Sequence, residues 1–189
     1  DELAAAGDAQ HQHDVAWRLR LRDEPVEFED MLLGRCVQNV YRTTGDYVVV
    51  TKHGLPAYQL AVVVDDMLGQ VTHIVRGQDL LSSTARQQWL YRYLAAGQSP
   101  AYVHVPLVRG DDGRKLAKRH GDTRLAYYRA LGVPAEAVIG LLGEWCAMGK
   151  RRLMSTAEFV EHFDLNQLPR TDIIFTQEDD TWLKSQIAG

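Results

Sequence analysis

Polar and apolar positions alternate along "VAWRLRL" (15–21), which predicts a β-strand. Residues 1 to 13 are polar and Ala-rich, a loop or frayed end. "VEFEDMLLG" and "CVQNVY" predict further short extended pieces up to Tyr41. "GDYVVVTKHG" (45–54) is a β-rich run closed by a turn at His53-Gly54. "PAYQLAVVVDDMLGQ" (56–70) carries two signals. Its Val run favours a strand, whereas its length and the Pro near its start favour a helix. A helix is preferred, with Tyr58, Ala61, Val62 and Asp65 on one face.

The next segment has the clearest pattern. "VTHIVRG" (71–77) predicts a strand ended by Gly, "SSTARQQWLYRYLAAG" (82–97) a helix, and "AYVHVPLV" (101–108) a second strand. Thr84 and Gln87 have the spacing of a capping box, and Gly97 closes the helix. Strand, helix and strand on short loops make a βαβ unit with parallel pairing and a right-handed crossover. Ligands of such sheets sit beyond the carboxyl ends of the strands. Arg76 ends the first strand, and "RKLAKRHG" (114–121) follows the second, so both are expected at one sheet edge. From Thr123 onward, "TRLAYYRALG", "PAEAVIGLLGEWCAMG" and "STAEFVEHF" predict helices, with a last short one in "DDTWLKSQIAG".

Composition narrows the class. Hydrophobic residues make up 46% and charged residues 24% of 189, as in a soluble globular protein. There is no apolar run long enough to span a membrane and no signal-peptide core, so a cytoplasmic location is expected. Cys36 and Cys146 have no metal-type spacing and are expected as reduced thiols. His11 and His13 on a polar end are at most adventitious metal ligands, so no metal site is assigned. The net charge is -4, which argues against a protein that coats nucleic acid non-specifically. A polyanion would be met by local patches. Arg109 to Arg124 holds six Lys/Arg and "GKRR" (149–152) is a second candidate.

Charge alone leaves the first patch an ordinary solvated turn. Its setting changes that. "KLAKR" (115–119) resembles the KMSKS signature of class I aminoacyl-tRNA synthetases. The ordered set of Tyr58, Asp65-Asp66, Arg76-Gly77, Thr84, Arg86-Gln87 and Lys115 to Gly121 resembles glutamyl-tRNA synthetases and their truncated relatives, the glutamyl-Q tRNA(Asp) synthetases. The likeness runs more loosely back to "AWRL" and forward to "FDLNQLP", so it covers most of the chain.

The resemblance implies an α/β fold: the second half of a Rossmann-type parallel sheet followed by a small α-helical subdomain. The implied division is a connecting segment (1–46), the second half of the catalytic domain with the KMSKS-like loop (47–122), and a helical stem-contact-like subdomain (123–189). It implies an ATP-dependent ligase that activates glutamate and passes it to a tRNA. Tyr58 and Arg76 would bind glutamate. Lys118 would bind the ATP phosphates, with Lys115 and Arg119 supporting the loop. Backbone at Pro106 to Val108, centred on Leu107, would meet the adenine. ATP with Mg2+, L-glutamate and a tRNA are the implied ligands, for a monomer. Asp65-Asp66 is read as helix termination, His73 and His104 as packing or hydrogen-bonding residues, and Trp89, Tyr91 and Tyr93 as helix packing.

The chain departs from the family pattern in three ways. It contains no HIGH-type stretch, no early Arg/Ser segment to grip glutamate, and no zinc-binding cysteine cluster. These are expected upstream of Asp1, and zinc only there. Ala117 stands where the signature usually has Ser, which removes a hydroxyl. Because "RGQDLLSSTARQ" is nearer the glutamyl-Q type than "RGEDHL", and about 65 residues follow the loop, queuosine of tRNA(Asp) is the favoured acceptor. A full glutamyl-tRNA synthetase charging tRNA(Glu) is the alternative. A non-catalytic tRNA-binding remnant is a third.

Overall fold

The computed structural model describes residues 15–94, 99–116 and 123–187. These form two compact units that divide between His104 and Val105.

The first unit is built on a four-stranded sheet, β3-β2-β6-β5. β2 (Val26–Asp30) and β3 (Gly34–Gln38) form an antiparallel hairpin, with Phe28 opposite Cys36. The two extended pieces expected here are thus one hairpin. The second piece stops at Gln38, because Asn39 caps a short helix, α1 (Val40–Thr43), by accepting from the Arg42 amide. β2 runs parallel to β6 (Ala101–Val105), with Asp30 opposite Tyr102. β5 (His73–Gly77) lies on the other side of β6. The Ala101 amide donates to the Thr72 carbonyl, and Arg76 meets His104 further on. The contacts advance in the same sense along both strands, as parallel pairing requires. A separate ribbon pairs β1 (Trp17–Leu19) antiparallel with β4 (Tyr47–Val50).

Two helices, α2 (Tyr58–Leu68) and α3 (Leu81–Tyr93), pack on these strands, α3 against β2 and α2 against α3 and β4. α2 is the helix preferred for the ambiguous Val-rich run, and Val63 is its buried residue. α3 turns Ala85, Trp89 and Leu90 into a core shared with Val26, Phe28 and Val40. The capping-box expectation is corrected here. Leu80 is the N-cap and gives no side-chain cap, while Thr84 and Gln87 are buried inside the helix. Gly97, expected to close this helix, lies outside the described residues.

The second expected strand is also shorter than 101–108. Pro106 has no amide for a ladder, and the chain leaves the sheet after Val105. In the second unit it re-forms a two-residue strand, β7 (Val108–Arg109), parallel to β8 (Ile173–Ile174). The helices of this unit are α4 (Leu125–Ala130), α5 (Ala135–Trp145), α6 (Thr156–His162) and α7 (Gln177–Ser185). Tyr128, Val133, Ala137, Leu141 and Leu183 form their core. α5 carries Gly140 where a Cβ would lie 1.6 Å from the Arg152 carbonyl oxygen, so only glycine lets that segment approach. α7 starts with a capping box between Thr176 and Asp179.

The "GKRR" patch is corrected as well. Arg151 bonds Glu144 and Asp179, each at 2.6 Å, and Arg152 pairs with Glu158. These arginines neutralise carboxylates of their own unit.

Candidate active site

In the first unit, polar side chains from β2, α2, β5, α3 and β6 converge on Arg76. Its Nε–H donates to His104 Nε2 at 3.0 Å, Nη1 to Gln87 Oε1 at 2.9 Å and Nη2 to Thr84 Oγ1 at 2.8 Å. The guanidinium carbon stands 5.3 Å from the ring centroid of Tyr102, a cation–π arrangement. Two of its five N–H groups have no partner among the described residues. Burial pushes Arg76 below the ordinary arginine value, with Tyr102, Tyr58 and Asp66 among the groups that oppose this. It remains a cation.

His104 fixes the first of these bonds. An arginine Nε only donates, so His104 Nε2 is the acceptor and its ring proton is on Nδ1. That proton is donated to Asp30 Oδ2 at 2.7 Å. Asp30 Oδ2 also receives the His104 amide at 3.1 Å, while Oδ1 receives the amides of Leu32 and Leu33. Both side chains are fully buried. Burial holds His104 below the usual histidine range, against the pull of the Asp30 bond, and the charge of Arg76 adds to the lowering. A neutral imidazole therefore stands between a carboxylate and a guanidinium.

Gln87 extends the network toward α2. Its Nε2 donates to Gln59 Oε1 at 3.0 Å, and Gln59 Nε2 donates to Ser83 Oγ at 3.2 Å. Gln59 follows Tyr58, which opens α2 and is 62% exposed. Tyr58 and Asp66 are among the groups whose ionised forms favour the charge on Arg76. Burial raises the Asp66 carboxyl, against the field of Arg76. The hydroxyls of Tyr91 and Tyr102 are buried with no hydrogen-bond partner among the described residues. Burial pushes Tyr91 up to about 12, so it stays protonated.

The other residues singled out from the sequence lie in the second unit. The Leu107 amide donates to Asp172 Oδ1 at 2.9 Å, and its carbonyl accepts from the Ile173 amide. Arg109 pairs with Asp172 and donates to the Gly113 carbonyl. That amide, then the guanidinium, hold the Asp172 carboxyl below its usual range. The chain folds back through a turn: Gly113 donates to the Gly110 carbonyl with a left-handed φ of 71°, and Leu116 donates to Val108. Lys115 then stands opposite Arg109. Lys118 and Arg119 lie outside the described residues.

A sheet with parallel strands and helices in the first unit, followed by helices in the second, is the α/β class that the resemblance implied. The family model for the tRNA synthetases class I (E and Q), catalytic domain, matches residues 2–182. The chain belongs to this family. It is 36% identical over 166 residues to "Glutamate--tRNA ligase 2" of Caldanaerobacter subterraneus subsp. tengcongensis, covering 87% of this chain and 34% of that protein. It is 43% identical over 157 residues to the glutamyl-Q tRNA(Asp) synthetase of Symbiobacterium thermophilum, covering 82% and 48%. Among solved structures, the glutamate-tRNA synthetase of Elizabethkingia anophelis superposes with a TM-score of 0.74 at 28% identity, over 88% of this chain and 37% of that one. The chain thus spans a third to a half of the length of these synthetases.

Spacing along the sequence missed the Asp30–His104 pair and the role of Gln59. A βαβ pattern could point to His104, which faces Arg76 from the adjacent strand. Nothing in spacing pointed to Asp30, 74 residues away. Among the described residues there is no cluster of three or more His, Cys, Asp or Glu placed to hold a metal. Cys36 and Cys146 are free thiols, both raised by burial. No helix of the described residues is long and apolar enough to cross a membrane.

Proposed function

We propose that the complete protein containing this chain activates glutamate with ATP and transfers it to queuosine in the anticodon loop of tRNA(Asp). The observation that carries the glutamate assignment is Arg76. A cation held from three sides, with two N–H groups left and Tyr58 close by, suits a carboxylate ligand.

In the first step a glutamate carboxylate oxygen attacks the α-phosphorus of ATP. The bond to the β-phosphate bridge breaks, and pyrophosphate leaves. In the second, queuosine takes the glutamyl group and AMP leaves. Arg76 and Tyr58 orient glutamate. Lys118 neutralises charge that grows on the phosphates, Lys115 and Arg119 support its loop, and backbone at Leu107 borders the adenine. Positioning and charge neutralisation are the protein's main contributions to such a transfer. Mg2+ would accompany ATP, and the described residues supply no set of carboxylates to hold it. The reaction belongs in the cytoplasm, where its tRNA is.

The choice of tRNA(Asp) rests on likeness. The chain is 47% identical over 129 residues and 43% over 157 to two proteins named glutamyl-Q tRNA(Asp) synthetase, and 36% over 166 residues to two named glutamate–tRNA ligase, so the preference leans on the segment RGQDLLSSTARQ (76–87) as well. The test is a charging assay of the complete protein on queuosine-containing tRNA(Asp), tRNA(Asp) without queuosine, and tRNA(Glu). Glutamate transfer is expected only to the first. Efficient charging of tRNA(Glu) would instead make it a glutamyl-tRNA synthetase.

A further inference from the structure

Outside the residues already assigned roles, one pair is fully buried and ionisable, and its histidine bonds Arg76 directly. Asp30 and His104 are each inaccessible to solvent, and their only charged neighbour by hydrogen bond among the described residues is that guanidinium. Burying such a pair costs free energy unless its partners are complete. Here they are. Asp30 accepts four hydrogen bonds: two from the amides that follow it, one from the His104 amide and one from the His104 ring. Each holds the carboxylate in one orientation. The carboxylate in turn holds the imidazole proton on Nδ1, which leaves Nε2 as an acceptor aimed at Arg76. Thr84 Oγ1 lies 3.2 Å from the same nitrogen, so imidazole and hydroxyl present one edge to the guanidinium.

We infer that Asp30 and His104 are positioning residues for glutamate recognition: the carboxylate selects the His104 tautomer, and the tautomer aims Arg76. The inference rests on Arg76 as the glutamate contact. It accounts for an ionisable pair buried where β2 ends beside β6. The opposite tautomer would set a ring N–H against the Arg76 Nε–H. The guanidinium would then have to turn, and its two unengaged N–H groups would turn with it. The same logic gives Asp30 a role that asparagine cannot fill. Each Asp30 oxygen faces only N–H donors, so either orientation of an amide would place its NH2 against one.

The test is a mutant cycle in the complete enzyme, read as KM for glutamate and for ATP in pyrophosphate exchange. His104→Leu removes the acceptor and is expected to raise the glutamate KM about tenfold or more, the usual worth of a hydrogen bond to a charged group, with the ATP KM nearly unchanged. His104→Gln can return an oxygen to the Nε2 position and is expected to recover most of that loss. In an Arg76→Lys background, His104→Leu is expected to change the glutamate KM by no more than about twofold, because the group it acts through is already gone. An equal effect of His104→Leu in both backgrounds overturns the inference, leaving glutamate recognition by Arg76 intact. If Arg76→Lys alone leaves the glutamate KM unchanged, Arg76 is not the glutamate contact. Should the variants not fold, nitrogen-15 NMR of histidine-labelled wild-type enzyme decides. A slowly exchanging Nδ1–H and an unprotonated Nε2 are expected for the His104 ring, and an Nε2–H form overturns the inference.

Discussion

Gln87 accepts a 2.9 Å hydrogen bond from Arg76 through its amide oxygen, and with its amide nitrogen it holds Gln59, the neighbour of Tyr58. One side chain thus ties β5 to the start of α2. Gln87→Glu would put a second carboxylate on Arg76 and lose the donor to Gln59. The complete enzyme is expected to show a glutamate KM raised about tenfold or more, with a smaller change for ATP, because a charge-assisted bond competes directly with the substrate. Steady-state pyrophosphate exchange measures both. An unchanged glutamate KM would mean that the substrate carboxylate does not meet Arg76.

Arg76→Lys tests the fork itself. Lysine keeps the charge but cannot bond His104, Gln87 and Thr84 in one plane and still face a carboxylate. The glutamate KM is expected to rise more than the ATP KM. Equal effects on both would point to a structural role.

His104 gives the first unit a dependence on pH whose sign follows from its surroundings. It is buried against Asp30 on β2, Arg76 on β5 and Thr84 on α3. Its native value lies below the usual one, chiefly through burial. The unfolded chain therefore binds a proton below about pH 6.5 while the native state stays neutral, and stability falls as pH drops through that window. Above it this histidine has no effect. Thermal midpoints between pH 7.5 and 5.5 are expected to fall more steeply for wild type than for His104→Gln. Parallel curves would show that His104 titrates alike in both states.

Gly140 sets a limit on packing in the second unit. A methyl group there would overlap the Arg152 carbonyl, which is backbone and cannot swing aside. Gly140→Ala is expected to destabilise the complete protein by about 3 kcal/mol, the upper end for overpacking, despite alanine's better helix propensity. A thermal midpoint equal to or above wild type would show that the 152 segment gives way.

Lys118 carries the prediction about chemistry. Charge on the leaving pyrophosphate grows in the transition state, so Lys118→Ala is expected to slow glutamyl-adenylate formation by about 100-fold or more, while ATP affinity changes less. Pre-steady-state measurement separates this from a solvated lysine, whose loss would leave the rate unchanged.

The βαβ unit was legible because its strands and helix are long enough for periodicity to speak. The roles of Thr84 and Gln87 were not. Positions three apart satisfy a capping box and also share one face of a helix interior, and only the Arg76 donors beside them decide between the two. Arg76 and Tyr58 could be singled out from their neighbours in sequence, whereas Asp30 becomes visible only when the fold brings β2 beside β6. The short β7 and β8 strands fall below any periodicity, and what defines them is a contact across 65 residues.

That last pairing has a consequence for the order in which the protein takes shape on the ribosome. Val108–Arg109 leads directly into the lysine-rich loop, yet its strand partner, Ile173–Ile174, is translated about 65 residues later. At about 5–20 residues per second, the nascent chain carries this segment for several seconds with only the local turn to Lys115 and Leu116 to pair with, until its strand partner has been made. The strand that leads into the lysine-rich loop is therefore completed as a parallel pair only well after it has been made.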